Sequence, residues 1–261
     1  MNHKARKRFG QNFLHDQGII QQIIYGINPQ INDNIVEIGP GKGALTASLL
    51  DAAGKLNVIE LDRDLIPILQ NNLGNSEHLH IHNVDALKYD FSQLSDKANN
   101  LRVVGNLPYN ISTPLLFHLM SFAHLIKDMH FMLQKEVVDR ITAGPNSKTY
   151  GRLSVMLQYY CFTEKLFIVK PGAFFPAPKV DSAIVRLIPY KKPPVKVDSQ
   201  KVFADIVSQC FSQRRKTLRN NLKTILNEEE ICSLDINPTA RAETLTLEQF
   251  ASLSNLANSK L

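Results

Sequence analysis

The chain has 261 residues, 44% of them hydrophobic and 21% charged, which suits one large domain or a large one with a small one and excludes disorder over most of its length. With 30 basic against 24 acidic side chains the net charge is +6, a balance that favours anionic partners, nucleic acid first. Cys161, Cys210 and Cys232 form no CxxC pair, no apolar run reaches the ~18 residues of a membrane span, and the basic opening lacks a signal-peptide core, so zinc site, disulfide framework and membrane are not expected and the cytoplasm is.

Residues 1–17 are polar and basic, with Lys4, Arg6, Lys7 and Arg8 ahead of the first acid, Asp16; by composition alone this is a solvated tail. Apolar pairs at helical spacing predict a helix over 18–27. Short apolar runs at 34–38, 56–61, 79–82, 101–104 and 129–133 read as buried strands, and segments such as 44–52 and 65–73 between them carry helical periodicity. Alternating strand and helix predicts a parallel sheet covered by helices, a Rossmann-like α/β fold. Strand-like runs at 166–169 and 182–188, joined by a non-helical stretch, predict an antiparallel addition at one edge. The Pro- and Lys-rich segment 189–197 reads as a linker, and helical patterns follow at 201–211, 217–226, 228–234 and 247–257. The expected organisation is therefore a domain over 1–190 and a small all-helical domain over 191–261.

The first strand of the sheet runs into Glu37-Ile38-Gly39-Pro40-Gly41-Lys42-Gly43. Glycines at 39 and 41 permit a tight turn and close approach of the backbone to a ligand. Glu60 follows 21 residues after Gly39, at the end of the next strand, where a carboxylate is placed to accept hydrogen bonds from both ribose hydroxyls of a nucleoside cofactor. Asp85 follows the third strand and is placed to accept from an adenine amine, whereas Asp62 and Asp64 read as helix N-caps. The glycine spacing is not the G-x-G-x-x-G that seats a pyrophosphate. Three acids at three successive strand ends suit a ribose, an adenine and a sulfonium, which points to S-adenosylmethionine and to methyl transfer over hydride transfer.

The fourth strand ends in Gly105-Asn106-Leu107-Pro108-Tyr109-Asn110, at the edge where open α/β sheets place their chemistry. Asn-Leu-Pro-Tyr here resembles the catalytic motif of methyltransferases acting on adenine N6. Taken with Arg8-Phe9-Gly10-Gln11-Asn12-Phe13-Leu14, Val36–Gly41, Gly105–Ser112, Phe131–Val137, Tyr150–Val155, Phe175–Ser182 and Gln213–Thr217, the chain is very similar, from about residue 6 to its end, to the small-subunit ribosomal RNA adenine dimethyltransferases. The chemistry accounts for these residue types. An adenine amine is a poor nucleophile because its lone pair is delocalised, and two acceptors holding its hydrogens localise that pair. The Asn106 side-chain oxygen and the Pro108 carbonyl would supply them, the proline fixing the turn that aims the carbonyl, and Tyr109 would stack on the flipped-out base. Neither a metal nor a strong base is needed.

The resemblance implies cofactor contacts from Asn12, Leu14, Gly39, Glu60, Asp85 and Asn106, with Asn12 and Leu14 folded back over the cofactor, so that 9–14 is more than a tail. Gly41 belongs to the same loop. The resemblance also implies a second aromatic face from Phe174, for which Phe175 is an equally available alternative. The target it implies is a pair of adjacent adenines in a hairpin loop near the 3′ end of 16S rRNA, each dimethylated, with a role in late small-subunit assembly and kasugamycin resistance on loss.

Arg214, Arg215, Lys216, Arg219 and Lys223 lie in 210–223 with no acid among them, and the four-residue spacing of 215, 219 and 223 predicts one helix face turned to RNA phosphates. Lys191, Lys192 and Lys196 extend the track, and the helical domain reads as a docking module that recognises folded RNA by shape. His78, His80 and His82 alternate along a strand and read as a solvated face rather than metal ligands. A monomer is the default expectation. Two other readings stay open: a large-subunit rRNA adenine methyltransferase of the antibiotic-resistance type, against which Asn110-Ile111-Ser112-Thr113-Pro114 and the Phe-x-Pro-x-Pro-Lys-Val-Asp-Ser stretch weigh, and a non-catalytic assembly factor, against which intact Glu60, Asp85 and Asn106–Tyr109 weigh.

Overall fold

Five apolar runs become five parallel strands. The computed structural model describes residues 11–74, 76–95 and 97–261, so Lys4, Arg6, Lys7, Arg8, Phe9 and Gly10 lie outside the described residues. The strands are β2 (Asn34–Ile38), β3 (Leu56–Ile59), β4 (Leu79–His82), β5 (Leu101–Asn106) and β6 (Ile126–Gln134). Between them come α2 (Thr46–Ala53), α3 (Ile66–Leu73) and α4 (Ser112–Met120). Before them stand β1 (Phe13–Leu14) and α1 (Gln17–Ile27), which Asp16 caps by accepting from Ile19 N at 3.1 Å. In α1, Ile20, Ile23 and Ile27 recur every three to four residues and are buried. After β6 follow α5 (Lys135–Ile141), α6 (Arg152–Tyr160), β7 (Cys161–Val169), β8 (Phe174–Phe175) and β9 (Ser182–Pro189).

The seven-stranded sheet has the order β4-β3-β2-β5-β6-β9-β7, and β1 and β8 form a separate antiparallel pair. As expected, β9 is antiparallel to β6, with Met129 opposite Leu187. The chain leaves β2 outward through β3 and β4, then returns to the other side of β2 as β5. That reversal opens a crevice at the carboxyl ends of β2 and β5. Gly105 lies at its floor, where a Cβ would come 2.5 Å from the Ile38 carbonyl oxygen, so only glycine lets the two strand ends approach this closely. Beneath the crevice, β5 carries a buried Arg102 whose Nε donates to Asp128 at 3.0 Å and whose Nη1 donates to Asp33 at 2.6 Å. A buried guanidinium is tolerated because two carboxylates and the Ile27 and Asn28 carbonyls satisfy it.

Packing divides the chain into two units. One runs to Val138 and resumes over Glu164–Pro189; the other joins Asp139–Thr163 to Tyr190–Leu261. A crossing point thus falls at the expected boundary near 190, but the stretch from 139 to 163, expected in the first domain, lies with the C-terminal helices α7 (Gln200–Cys210), α8 (Leu218–Leu222), α9 (Glu228–Cys232) and α10 (Leu247–Asn258). The reason is aromatic packing. Tyr159 of α6 meets Phe203 of α7 at 4.8 Å between ring centres, and Tyr150 meets Phe211 at 6.2 Å. A helix expected over 217–226 is the single short α8, and 211–217 is a string of turns. Among the described residues no helix is long and apolar enough to cross a membrane.

Candidate active site at the carboxyl ends of the strands

A cavity of about 310 Å³ opens at the crevice. It is lined by the ends of β2, β3 and β5, by the loop after β4, and by residues 11–14. The glycine loop shapes one wall. Gly39 and Gly41 have φ of +69° and +60°, a region that costs side chains strain, and a Cβ on Gly41 would meet the Phe13 ring at 3.2 Å. Glycine at 41 therefore leaves room for the Phe13 ring where residues 11–14 cross the loop.

Glu60 sits at the end of β3 and is buried. Its carboxylate accepts from Asp62 N at 2.8 Å and Gly41 N at 3.3 Å, which holds the glycine loop and the β3 turn in one geometry. Burial pushes its pKa up, and these two N–H groups hold it back. Glu37, two residues before Gly39, lines the same cavity and accepts from Thr46 Oγ1 at 2.6 Å. Burial, opposed by that bond and assisted by the charge of Glu60, pushes its pKa up to about 7. Asp85 lines the cavity, with its Oδ1 accepting from Leu87 N at 3.0 Å.

The two expected helix caps, Asp62 and Asp64, do not cap α3. The N-cap of α3 is Leu65, with no side-chain cap bond. Asp62 instead bonds the turn before it, accepting from Asp64 N at 3.3 Å, and also accepts from Gln11 Nε2 at 3.0 Å. It thereby ties residues 11–14 to the β3 end, a contact that nothing in the spacing could announce.

Asn106 ends β5 and lines the cavity with Leu107, Pro108 and Tyr109. Its amide Nδ2 donates to the Asn12 carbonyl at 3.1 Å, leaving Oδ1 as the acceptor. The Pro108 carbonyl accepts from Ile111 N at 3.2 Å, closing the turn and keeping a second lone pair. The Tyr109 hydroxyl pairs with the buried Ser182 Oγ on β9 at 2.8 Å, so the tyrosine is anchored by the far end of the Phe-x-Pro-x-Pro-Lys-Val-Asp-Ser stretch. Burial pushes the Tyr109 pKa up.

All seven residues expected at the cofactor, Asn12, Leu14, Gly39, Gly41, Glu60, Asp85 and Asn106, line this one cavity, as do Pro108 and Tyr109. Phe174 does not. It is 3% exposed, stands opposite Leu14 in the β1–β8 pair, and packs in the core with Leu14, Met132 and Ile184. Phe13 and Lys42 are further cavity residues, with the Lys42 ammonium 4.7 Å above the Phe13 ring.

The basic residues are also sorted by the fold. Arg214 donates to the Lys148 carbonyl at 2.8 Å and pairs with Glu243 at 3.2 Å; Arg219 pairs with Glu228 at 3.3 Å. Arg215, Lys216 and Lys223 are exposed, but 215 lies in the turns before α8, so the expected single helix face is not formed. His82 contacts Asn57 and Tyr89, while His78 and His80 are exposed.

A β4-β3-β2-β5-β6-β9-β7 sheet with its glycine loop after β2, buried Glu60 after β3 and Asn-Leu-Pro-Tyr after β5 defines a Rossmann-like S-adenosylmethionine-dependent methyltransferase. Its relatives narrow the class. A dimethyladenosine transferase from Plasmodium falciparum superposes with a TM-score of 0.76 at 28% identity, covering 92% of this chain and 95% of the other. The 23S rRNA methyltransferase ErmE shares the fold at a TM-score of 0.75 and 24% identity, over 95% of this chain and all of its own. The family profile described as ribosomal RNA adenine dimethylase matches residues 2–259. Proteins named ribosomal RNA small subunit methyltransferase A are 59% identical in Saccharophagus degradans (97% of this chain, 94% of the relative) and 58% in Acinetobacter baylyi (97% and 92%). The chain belongs to the ribosomal RNA adenine dimethylase family.

Proposed function

We propose that the chain dimethylates the N6 amines of two adjacent adenines in the 3′-terminal hairpin loop of 16S rRNA, as a cytoplasmic monomer acting late in small-subunit assembly. The observation that carries this reading is Asn106, at the end of β5, with its Nδ2 committed to the Asn12 carbonyl and its Oδ1 left to accept.

The cavity suits S-adenosylmethionine. The glycine loop, a buried carboxylate at Glu60 and a second acid at Asp85 border one space. Glu60 would take the ribose hydroxyls and Asp85 the adenine amine, with Asn12, Leu14, Gly39 and Gly41 closing around the rest. When bound, that molecule supplies an electrophilic methyl on a cationic sulfur.

The protein's own part is to prepare the acceptor nitrogen. Asn106 Oδ1 and the Pro108 carbonyl hold the two hydrogens of the adenine amine, draw the nitrogen toward tetrahedral geometry and localise its lone pair. Tyr109, fixed through Ser182, offers the face on which the flipped-out base stacks. Positioning supplies much of the rate, and the proton leaves to water. The same geometry serves a second round on the monomethylated amine, since one N–H remains to be held. In the second unit, Arg215, Lys216 and Lys223, with Lys191, Lys192 and Lys196, dock rRNA through its phosphates.

The test is methyl transfer from labelled S-adenosylmethionine to 30S particles from an undermethylated strain, with 50S particles alongside and nucleosides analysed afterwards. N6,N6-dimethyladenosine from the 30S sample alone is expected. Label in 50S would move the protein to the large-subunit reading. No label in either, with particle binding intact, would leave an assembly factor without catalysis.

A further inference from the structure

The β1–β8 pair has two faces of opposite character. Residues directly opposite in an antiparallel pair share a face, and successive residues alternate. Leu14 stands opposite Phe174, and both are buried, 7% and 3% exposed. Phe13 stands opposite Phe175 on the other face. That face is not core: Phe13 is only half-buried, and Phe175 is 73% exposed.

A solitary exposed phenylalanine needs no explanation. Phe175 has a specific setting, however. Its cross-strand partner Phe13 is at the cavity wall and carries the Lys42 ammonium over its ring. The loop that follows displays Lys179 and the 46% exposed Val180. The loop is tied down at its far end, where the Asp181 carbonyl accepts from Lys135 N at 2.9 Å and the Asp181 carboxylate pairs with Lys170 at 2.7 Å. The next residue, Ser182, holds the Tyr109 hydroxyl. Phe175 is thus a bare aromatic ring on a segment anchored at one end to the cavity wall and at the other to the catalytic turn, with Lys42 over the ring of its cross-strand partner and the exposed Lys179 four residues further along the chain.

The geometry points to Phe175 as a stacking platform for the unpaired nucleotide next to the adenine being methylated. This inference rests on the rRNA adenine reading above. Single-stranded nucleic acid is held by this combination of an exposed aromatic face and flanking positive charge. With one of two adjacent adenines in the cavity, its neighbour is a purine, which presents a large face for the ring. Phe175 then discriminates by stacking at the flanking position, while Phe174, which the family resemblance favours for the target base, supports Leu14 from the core.

The test compares wild type with Phe175→Ala, Phe175→Leu and Phe175→Trp in steady-state methylation of undermethylated 30S particles, with S-adenosylmethionine affinity measured by calorimetry and folding by thermal melting. Phe175→Ala is expected to raise KM for the particle roughly 5- to 100-fold, the worth of one base–aromatic stack. kcat and cofactor affinity should stay within about twofold, because the residue touches neither the reacting nitrogen nor the cofactor. Phe175→Trp should restore KM and Phe175→Leu should not, which separates stacking from apolar contact. An unchanged KM in Phe175→Ala, or full activity in Phe175→Leu, overturns the inference while leaving the methyltransferase reading intact. A wild-type protein that methylates no 30S adenine overturns both.

Discussion

The side-chain amide of Asn106 is oriented by the main-chain carbonyl of Asn12, 3.1 Å away, across 94 residues of sequence. Because the acceptor is backbone, the orientation does not depend on the side chain at position 12. It depends on residues 11–14 lying over the cavity, where Gln11 is tied to Asp62 and Asp62 N to Glu60. Glu60 and the Asn106 amide are therefore joined through one crossing segment.

Asn106→Ala removes an acceptor that matters most as the nitrogen becomes tetrahedral. The expected loss is about 10²- to 10³-fold in kcat, the scale of one lost preorganised hydrogen bond. Asn12→Ala keeps the carbonyl, so it should weaken cofactor binding with little effect on kcat. Single-turnover methyl transfer and cofactor calorimetry on the two variants check the split.

Glu37 makes stability depend on pH. Its folded pKa, about 7, lies above the ordinary glutamate value of 4.5, so the folded protein holds this proton more tightly than the unfolded chain. Its penalty is absent below pH 4.5, grows as pH rises toward 7, and is full above. Glu37→Gln keeps an acceptor for Thr46 and removes the charge. Relative to wild type it should gain stability progressively over that window, up to roughly 3 kcal/mol above pH 7. Urea melts of both proteins at pH 5, 6, 7 and 8 measure this difference. A difference that does not vary with pH would show that Glu37 keeps an ordinary pKa.

Gly105→Ala drives a methyl group against the Ile38 carbonyl, 2.5 Å from where the Cβ would sit. The strand ends must part, at a cost of about 1–3 kcal/mol for overpacking. Since the crevice between β2 and β5 is also the cavity floor, cofactor affinity should fall with the melting temperature. A stable variant with unchanged affinity would contradict the close approach.

The five cations of 210–223 should separate into two behaviours. Neutralising Arg215, Lys216 or Lys223, which carry no ion pair among the described residues, should weaken particle binding and lower the salt slope by about 0.7 to 0.9 per lost phosphate contact, with no change in melting. Arg214→Ala should lower the melting temperature, because Arg214 ties the Lys148 carbonyl and Glu243 within the second unit. Binding isotherms at several salt concentrations and thermal melts distinguish the two.

Much of the molecule was legible in the chain because local pattern and local geometry agree. The runs at 34–38 and 79–82 form strands with those limits, and the glycines that allow the turn at 39–41 are the residues the turn needs. The residues placed at the cofactor by motif, from Asn12 to Asn106, border one cavity because each lies at or beyond the same ends of adjacent parallel strands, or in the segment that crosses them.

Pairing at a distance was not legible. Whether Phe174 or Phe175 faces outward is set by register, and a one-residue shift in β1–β8 would exchange them. Whether Asp62 caps a helix or holds Gln11 depends on where residues 11–14 come to rest. Arg214 and Arg219 read as unpaired cations until Glu243 and Glu228 arrive from later in the chain. The sequence by itself determined the sheet, the cofactor chemistry and the place of the turn at 106–109, since these follow from residue type, spacing and strand ends. Only the tertiary structure decided which side chains are spent on holding the protein together and which remain for a ligand, because that depends on partners brought into contact by folding.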